Sequence, residues 1–429
     1  MAITGRVPLL LLLGVLPVAV RPAMGTVGMW LVVVAVLVVA DWLLAPPPAG
    51  LSVERRPVGA VRMGYPTSTT LLVAAGGRRV TGILRDAWQP SAGASGNRHR
   101  LRLGPAEAVR LETPLRPSRR GDLRATGVTV RSRGPLGLAA RQRTWEVPGT
   151  VRSLPPFESR KHLPSRLARL RELDGRSAVR VRGQGTEFDS LRDYVRGDDV
   201  RSIDWRASAR TRTVVVRTWQ PERDRRVVIV LDTSRMSAAR VEDIPRLDSA
   251  MDAALLLAAL AARAGDRVDF IAGDRRVRAR LRAAGHRTIA AELQNTMADL
   301  EPEIAEADWA DLAGAVAEMG RQRAFVVLLT PLEPSAVEEG LLPVLPTLTH
   351  RHRVVMASVK DPALEALTDG RDSLDAIYQA AAAEQALLRR RSTARLLDAL
   401  GVDVIDADAD RLPPALADHY LALKARGLL

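Results

Sequence analysis

The chain has 429 residues and a mass of 46.5 kDa, room for about three domains of ordinary size. Apolar residues at 47% and charged residues at 26% describe a protein with a real core, which excludes wholesale disorder and fibrous architectures. The absence of cysteine excludes disulfides, thiolate metal sites, iron–sulfur clusters and a cysteine nucleophile. The net charge of +14 is spread unevenly, +7 over residues 1–100, +14 over 101–226 and −7 over 227–429.

Two apolar runs open the chain, VPLLLLLGVLPVAV at 7–20 and VGMWLVVVAVLVVADWLLA at 27–45. The second is 19 residues long, close to the roughly 20 that cross a bilayer core. The first spans only if Arg21 snorkels to the interface, and its alternative is a signal peptide with Arg6 as the basic region, although no small-x-small cleavage site follows. The expectation is a hairpin of two transmembrane helices within residues 1–50, with Trp30 and Trp42 near the interfaces and Asp41 close enough to the helix end to reach water. Arg6 before the first run and Arg55, Arg56 and Arg62 after the second favour both ends, and hence the soluble domains, on the cytoplasmic side of a bacterial membrane; Arg21 in the turn opposes this. Pro46-Pro47-Pro48 ends the second helix.

Residues 51–155 carry short alternating runs, Thr69–Ala74, Val80–Trp88, Val128–Arg133 and Arg143–Val147, punctuated by Gly, Pro and Ser, which predicts a small β-sandwich-like domain. Its turns Arg119-Arg120-Gly121 and Arg133-Gly134-Pro135-Leu136-Gly137 read first as solvated loops and second as a surface for acidic lipid head groups below the anchor. With aromatics at 3% and only three lysines, the basic stretch is not that of a nucleic-acid binder.

The segment 156–225 holds the most distinctive run, GQGTEFDSLRDYVRGDDVRSIDWRASARTRTVVVRTWQP at 183–221. Glu187, Asp189, Asp193, Asp198, Asp199 and Asp204 alternate there with Arg192, Arg196, Arg201, Arg206, Arg210 and Arg212, around Tyr194, Trp205 and Trp219. Two readings fit: a paired, partly buried network holding loops against a neighbouring domain, or a hydrolytic or metal site. The order Gly197-Asp198-Asp199-x-Arg201-x-Ile203-Asp204-Trp205-x-Ala207-Ser208-Ala209-Arg210, preceded by Glu187-Phe188 and Leu191-Arg192-x-Tyr194, resembles the signature of the bacterial domain of unknown function 58 family. Together with RVVIVLDTSRM at 226–236 the resemblance covers essentially the whole chain. It implies a membrane protein with a degenerate von Willebrand factor A-like domain, frequently encoded beside MoxR-type AAA+ ATPases and without an established biochemical role, which makes such an ATPase the candidate partner.

Residues 226–429 read independently as a doubly wound α/β domain: strands at 227–231, 267–272, 324–330, 353–359 and 402–406, an edge strand at 275–282, and helices at 247–264, 286–300, 308–320, 334–342, 373–400 and 414–426. Ligands of such sheets sit at the carboxyl ends of the strands, which singles out Asp232-Thr233-Ser234-Arg235-Met236. The resemblance compares this loop with the Asp-x-Ser-x-Ser of metal-binding von Willebrand A domains. Asp232 and Ser234 match, but Met236 replaces the second serine, and a thioether is a poor ligand for Mg or Mn. The second loop, 308–312, lacks a threonine, and the third offers Thr330-Pro331 in place of an aspartate; Asp311 or Glu333 would have to substitute. The expectation is a residual loop in which Asp232 caps a helix or pairs with an arginine, without cofactor, and which contacts a partner together with residues 330–334. The alternative is a metal-dependent switch or enzyme using Asp232, Ser234 and carboxylates from Asp198, Asp199 or Asp204. No Gly-x-Ser-x-Gly elbow and no nucleotide-binding glycine loop occurs, so the chain reads as a non-catalytic, membrane-anchored adaptor. The arginine run 389–391 on the long helix 373–400 is a further partner-facing candidate.

Overall fold

A computed structural model describes residues 2–77, 79–180, 187–220, 225–241, 243–282, 288–320 and 322–429, with backbone alone at 174–180, 187–190 and 218–220. Residues 183–186 and Pro221 of the central motif, the side chains of Glu187, Phe188, Asp189 and Trp219, and the expected helix start at 286 lie outside the described residues. The chain forms two compact units, Met1–Leu154 and Pro155–Leu429.

In the first unit the leading apolar run becomes two short helices, Arg6–Leu12 and Val15–Val20, and the second becomes the helix Met24–Leu44 of 21 residues. Among the described residues this is the one helix long and apolar enough to cross a membrane. Its length is about 31 Å, the thickness of a hydrocarbon core. Gly14 allows the helices to meet, since a Cβ there would lie 2.3 Å from the Trp30 ring, and the Trp30 indole N–H donates to the Leu10 carbonyl at 3.3 Å. Val7, Val34 and Val38 then bury against Leu138 and Ala139 of the β region.

That region is two sheets, antiparallel except for the short parallel pairing of Val61–Arg62 with Thr150–Leu154, with two apolar clusters. The smaller contains Leu51–Arg55, Thr67–Ala75 and Ala108–Leu115. The larger is organised by Gly121–Arg133, whose 13 residues pair with Val80–Trp88, Ala139–Trp145 and Thr150–Leu154 in turn. Period-two alternation turns Leu71 and Val73 of one sheet toward Leu84, Val128 and Val130 of the other. Arg55, expected among the arginines that flank the membrane, is instead buried. Its guanidinium meets Asp86 at 2.7 Å and lies over the Trp88 ring, whose N–H also bonds Asp86.

The second unit contains a six-stranded sheet in the order Val277–Leu281, Arg267–Gly273, Arg226–Asp232, Phe325–Leu329, Arg353–Val359, Val402–Ala407, parallel except for the first edge strand. The continuous apolar run at its centre is split by the pleat: Val227, Ile229 and Leu231 enter the core under helices Arg246–Arg263 and Leu412–Arg426, and Val228 and Val230 the core under Trp309–Glu318. The segment expected as one helix at 334–342 is one turn, Pro334–Ala336, followed by a wider π turn, Val337–Leu341. A helix that sequence reasoning missed, Leu163–Arg180, packs Leu163, Leu167, Leu170 and Leu173 on the first of these cores. Their spacing of four, three and three was a readable helical signal. Its start is held by Asp252, whose carboxylate accepts from the Ser159 backbone N–H at 3.0 Å and hydroxyl at 2.8 Å. Burial outweighs these bonds and raises the Asp252 carboxyl to about 6.

Candidate functional site

The loop after the central strand lies where the topology predicts, at the carboxyl end of Arg226–Asp232 beside the ends of Arg267–Gly273 and Phe325–Leu329. Asp232 is 2% exposed and Ser234 1%. Asp232 Oδ1 accepts the Ser234 backbone N–H at 2.7 Å, and Oδ2 accepts the Thr330 hydroxyl at 2.7 Å. The residue at the aspartate position of the third loop therefore closes the site with its own O–H. This corrects the expectation for Asp232, which neither caps a helix nor pairs with an arginine. Burial pushes its carboxyl up, against the opposing pull of Thr330 and Ser234. Next to it the Thr233 hydroxyl donates to Asp274 Oδ2 at 2.9 Å, and the Arg278 guanidinium stands 3.4 Å from the same oxygen. Asp274 was not singled out from sequence, although it also follows a strand.

The oxygens needed to complete a hard-cation shell are spent elsewhere. Asp308 caps the helix Trp309–Glu318 through the N–H groups of Ala310 and Asp311. Asp311 accepts from Val277 N–H at 3.1 Å, and Glu333 meets Arg246 at 3.3 Å and Arg390 at 3.6 Å. With Asp232 closed by the Ser234 N–H and the Thr330 hydroxyl, and Asp274 by the Thr233 hydroxyl and the Arg278 guanidinium, the loop does not offer the roughly six oxygen ligands that Mg or Mn wants. No group of three His, Asp or Glu with metal-binding geometry occurs among the described residues.

The central motif is a separate arrangement. Strands Glu187–Asp193 and Val215–Gln220 form an antiparallel hairpin whose connection holds the helix Trp205–Thr211. Gly197 takes φ +114°, a conformation other residues rarely adopt. Each carboxylate of the signature does local work. Asp198 accepts from Arg192 at 2.6 Å and from Val195 N–H at 2.9 Å, Asp199 accepts Arg201 N–H, and Asp204 caps the helix through Arg206 and Ala207 N–H while meeting Arg217 at 2.7 Å. Asp198 is held below the usual carboxylate range by its bond from Arg192, and Asp204 by the Ala207 N–H and then Arg217. With these acids engaged, Arg196, Arg201, Arg206, Arg210 and Arg212 are exposed, without partners among the described residues. The same segment exposes Val195, Val200 and Trp205, the last at 67%. The expected pairing is present and partly buried at the acids, Asp198 at 21% and Asp204 at 15% exposed, while the arginines without partners lie at the surface. Among the described residues no hydrogen bond or ion pair joins Asp198, Asp199 or Asp204 to Asp232 or Ser234.

Several solved structures are similar. The SpRpn10 VWA domain aligns with 46% of this chain and 94% of its own at 11% identity and a TM-score of 0.28. The conserved hypothetical protein BatB from Bacteroides thetaiotaomicron aligns with 47% and 99% at 13% identity and a TM-score of 0.30. An aerotolerance-related membrane protein from Bacteroides fragilis aligns with 46% and 98% at 14% identity and a TM-score of 0.29. No curated protein matches. The model of the family described as "Protein of unknown function DUF58" matches residues 190–413, from the hairpin through the last strand, more than half of the chain. The chain belongs to the DUF58 family.

Proposed function

We propose that the chain is a non-catalytic interaction protein anchored in the bacterial cytoplasmic membrane by a two-helix hairpin, with its β-sandwich-like and α/β units in the cytoplasm. The partner is a protein, and the family resemblance points to a MoxR-type AAA+ ATPase. One observation carries the reading: the strand-end loop that would do chemistry is sealed by Thr330, while the family signature turns its arginines and Trp205 to solvent. Exposed tryptophan and arginine are the residues on which protein interfaces concentrate their energy. Asp232 and Ser234, expected as partner contacts, are too buried to supply them, so the contact moves to the signature face.

The test is capture of tagged full-length protein from its native membrane, with Trp205→Ala and Arg206→Glu in parallel. Enrichment of an AAA+ ATPase that falls at least tenfold in either variant supports the adaptor and its face; enrichment indifferent to both removes the face. Calorimetric titration with Mg and Mn is expected to give no heat, and a saturable signal abolished by Asp232→Asn would replace the adaptor by a metal-dependent switch.

A further inference from the structure

Where the apolar helix Met24–Leu44 ends, the turn 134–139 closes around it. Asp41, expected to reach water, is fully buried: Oδ1 accepts the N–H of Leu136 at 2.7 Å, and Oδ2 those of Leu138 at 2.7 Å and Ala139 at 2.8 Å. A Cβ on Gly134 would lie 2.3 Å from Asp41 Oδ1, so glycine is what lets the turn approach. Arg141 donates to the Trp42 carbonyl at 3.1 Å and stacks over the Trp42 ring, and Arg6 donates to the Leu136 carbonyl at 3.1 Å. Ala2 and Ile3 pair with Ala140 and Ala139. Tied to the chain on both sides, the turn keeps the depth of the helix end.

We propose that this collar is a binding site for anionic phospholipid head groups. The inference rests on the reading of Met24–Leu44 as a membrane helix, which puts its last turn, and hence residues 133–141, in the head-group layer. Leu136 in the turn is 48% exposed, as Leu43 is at 59% and Leu44 at 66% at the helix end, apolar groups suited to the acyl boundary. Arg6, Arg133 and Arg143, in the strands and helix that flank the turn, are exposed; Arg133 has no partner among the described residues, and Arg143 reaches the Ala49 carbonyl at 3.5 Å and lies over the Trp145 ring. Asp41, the acid of the joint, faces inward and does not offset them. Guanidinium groups match phosphate oxygens in a planar, two-pronged way, and basic side chains near an anionic surface are attracted to it.

The experiment reconstitutes the full-length protein in phosphatidylcholine membranes with a trace of spin-labelled phosphatidylglycerol or spin-labelled phosphatidylcholine, and reads the motionally restricted fraction of each label. Expected is a several-fold preference for phosphatidylglycerol that falls toward unity in 1 M salt and by at least half in Arg133→Gln/Arg143→Gln. The control Arg124→Gln lies nine residues along the same strand, about 30 Å away, and leaves the preference unchanged. Equal restriction of both labels overturns the head-group site and leaves the membrane helix standing. Restriction of neither overturns the membrane reading itself. A preference that survives the double variant, or falls equally in Arg124→Gln, places the lipid contact elsewhere and overturns the assignment.

Discussion

Two aspartates, Asp41 in the first unit and Asp232 in the second, are almost equally hidden from solvent and are satisfied by different means. Asp41 receives three backbone N–H groups from a turn 95 or more residues away in sequence. Asp232 receives one N–H from its own loop and one side-chain hydroxyl from a neighbouring strand end. The donors that hold Asp41 have no other partner if it is removed, because backbone amides in a closed turn cannot turn away. The Thr330 hydroxyl can rotate, and burial already favours the neutral carboxyl it meets. One aspartate is a fastening for its unit; the other is the plugged remainder of a strand-end site.

The comparison breaks most sharply at the fastening. Asp41→Ala leaves two buried donors and one part-buried donor unsatisfied, the buried ones worth about 1–3 kcal/mol each, and is expected to cost about 3 kcal/mol in total. Limited proteolysis of the reconstituted protein should then cut within 134–140, where the wild-type chain resists. Gly134→Ala should reproduce this from the other side of the joint. If both variants resist cleavage like the wild type, Asp41 is not what holds the turn.

A third acid sets a scale between these two. Asp252 has its folded carboxyl raised to about 6, so the folded state holds the proton more firmly than the unfolded chain. The sign is that of a raised acid: the stability is fully present below about pH 4 and is lost as pH rises to 6, about 3 kcal/mol in all. Asp252→Asn is expected to flatten the melting temperature of the second unit across that range and to stabilise it at pH 7.5. An unchanged slope would mean that the acid is hydrated in solution.

The smallest effects belong to the plugged loop. Thr330→Val, which strands one oxygen of Asp232, should cost about 1–2 kcal/mol. Asp232→Asn keeps an acceptor for Ser234 N–H and gives Thr330 a donor, so its cost should stay within about 1 kcal/mol by thermal melting at pH 7. A larger loss would show that Asp232 is ionised and that the contrast with Asp41 is wrong.

Much of the fold was legible because it depends on short-range pattern. The apolar run at 27–45, the β-branched run 227–231 and most of the strand–helix alternation after it correspond to elements within a few residues of those expected. So does the loop at Asp232, since a strand end followed by Asp-Thr-Ser is visible in the chain itself. The run at 7–20, expected as one membrane-spanning helix, is instead two short helices, and the segment 334–342 is a helical turn followed by a π turn. The helix Leu163–Arg180 was legible and overlooked, because the charges of that segment drew attention away from its leucines. The partners of charged residues were not legible. Arg390 stands in a run with Arg389 and Arg391, yet it alone is buried, bonding Asp406 through two nitrogens at 2.7 Å and Ser358 at 2.8 Å.

The sequence by itself determined the class of each region: an apolar amino-terminal stretch, a β region, a mixed-charge signature and an α/β domain with an Asp-Thr-Ser loop at a strand end. Hydrophobic period and turn chemistry act over a few residues and are written in order along the chain. Only the tertiary structure decided which charges face inward. Asp41, Arg55 and Asp232 look like surface or site residues in sequence, but each is buried against groups from distant segments. Pairing of a charge is fixed by where the backbone brings its partner, and nothing local to the residue records that distance.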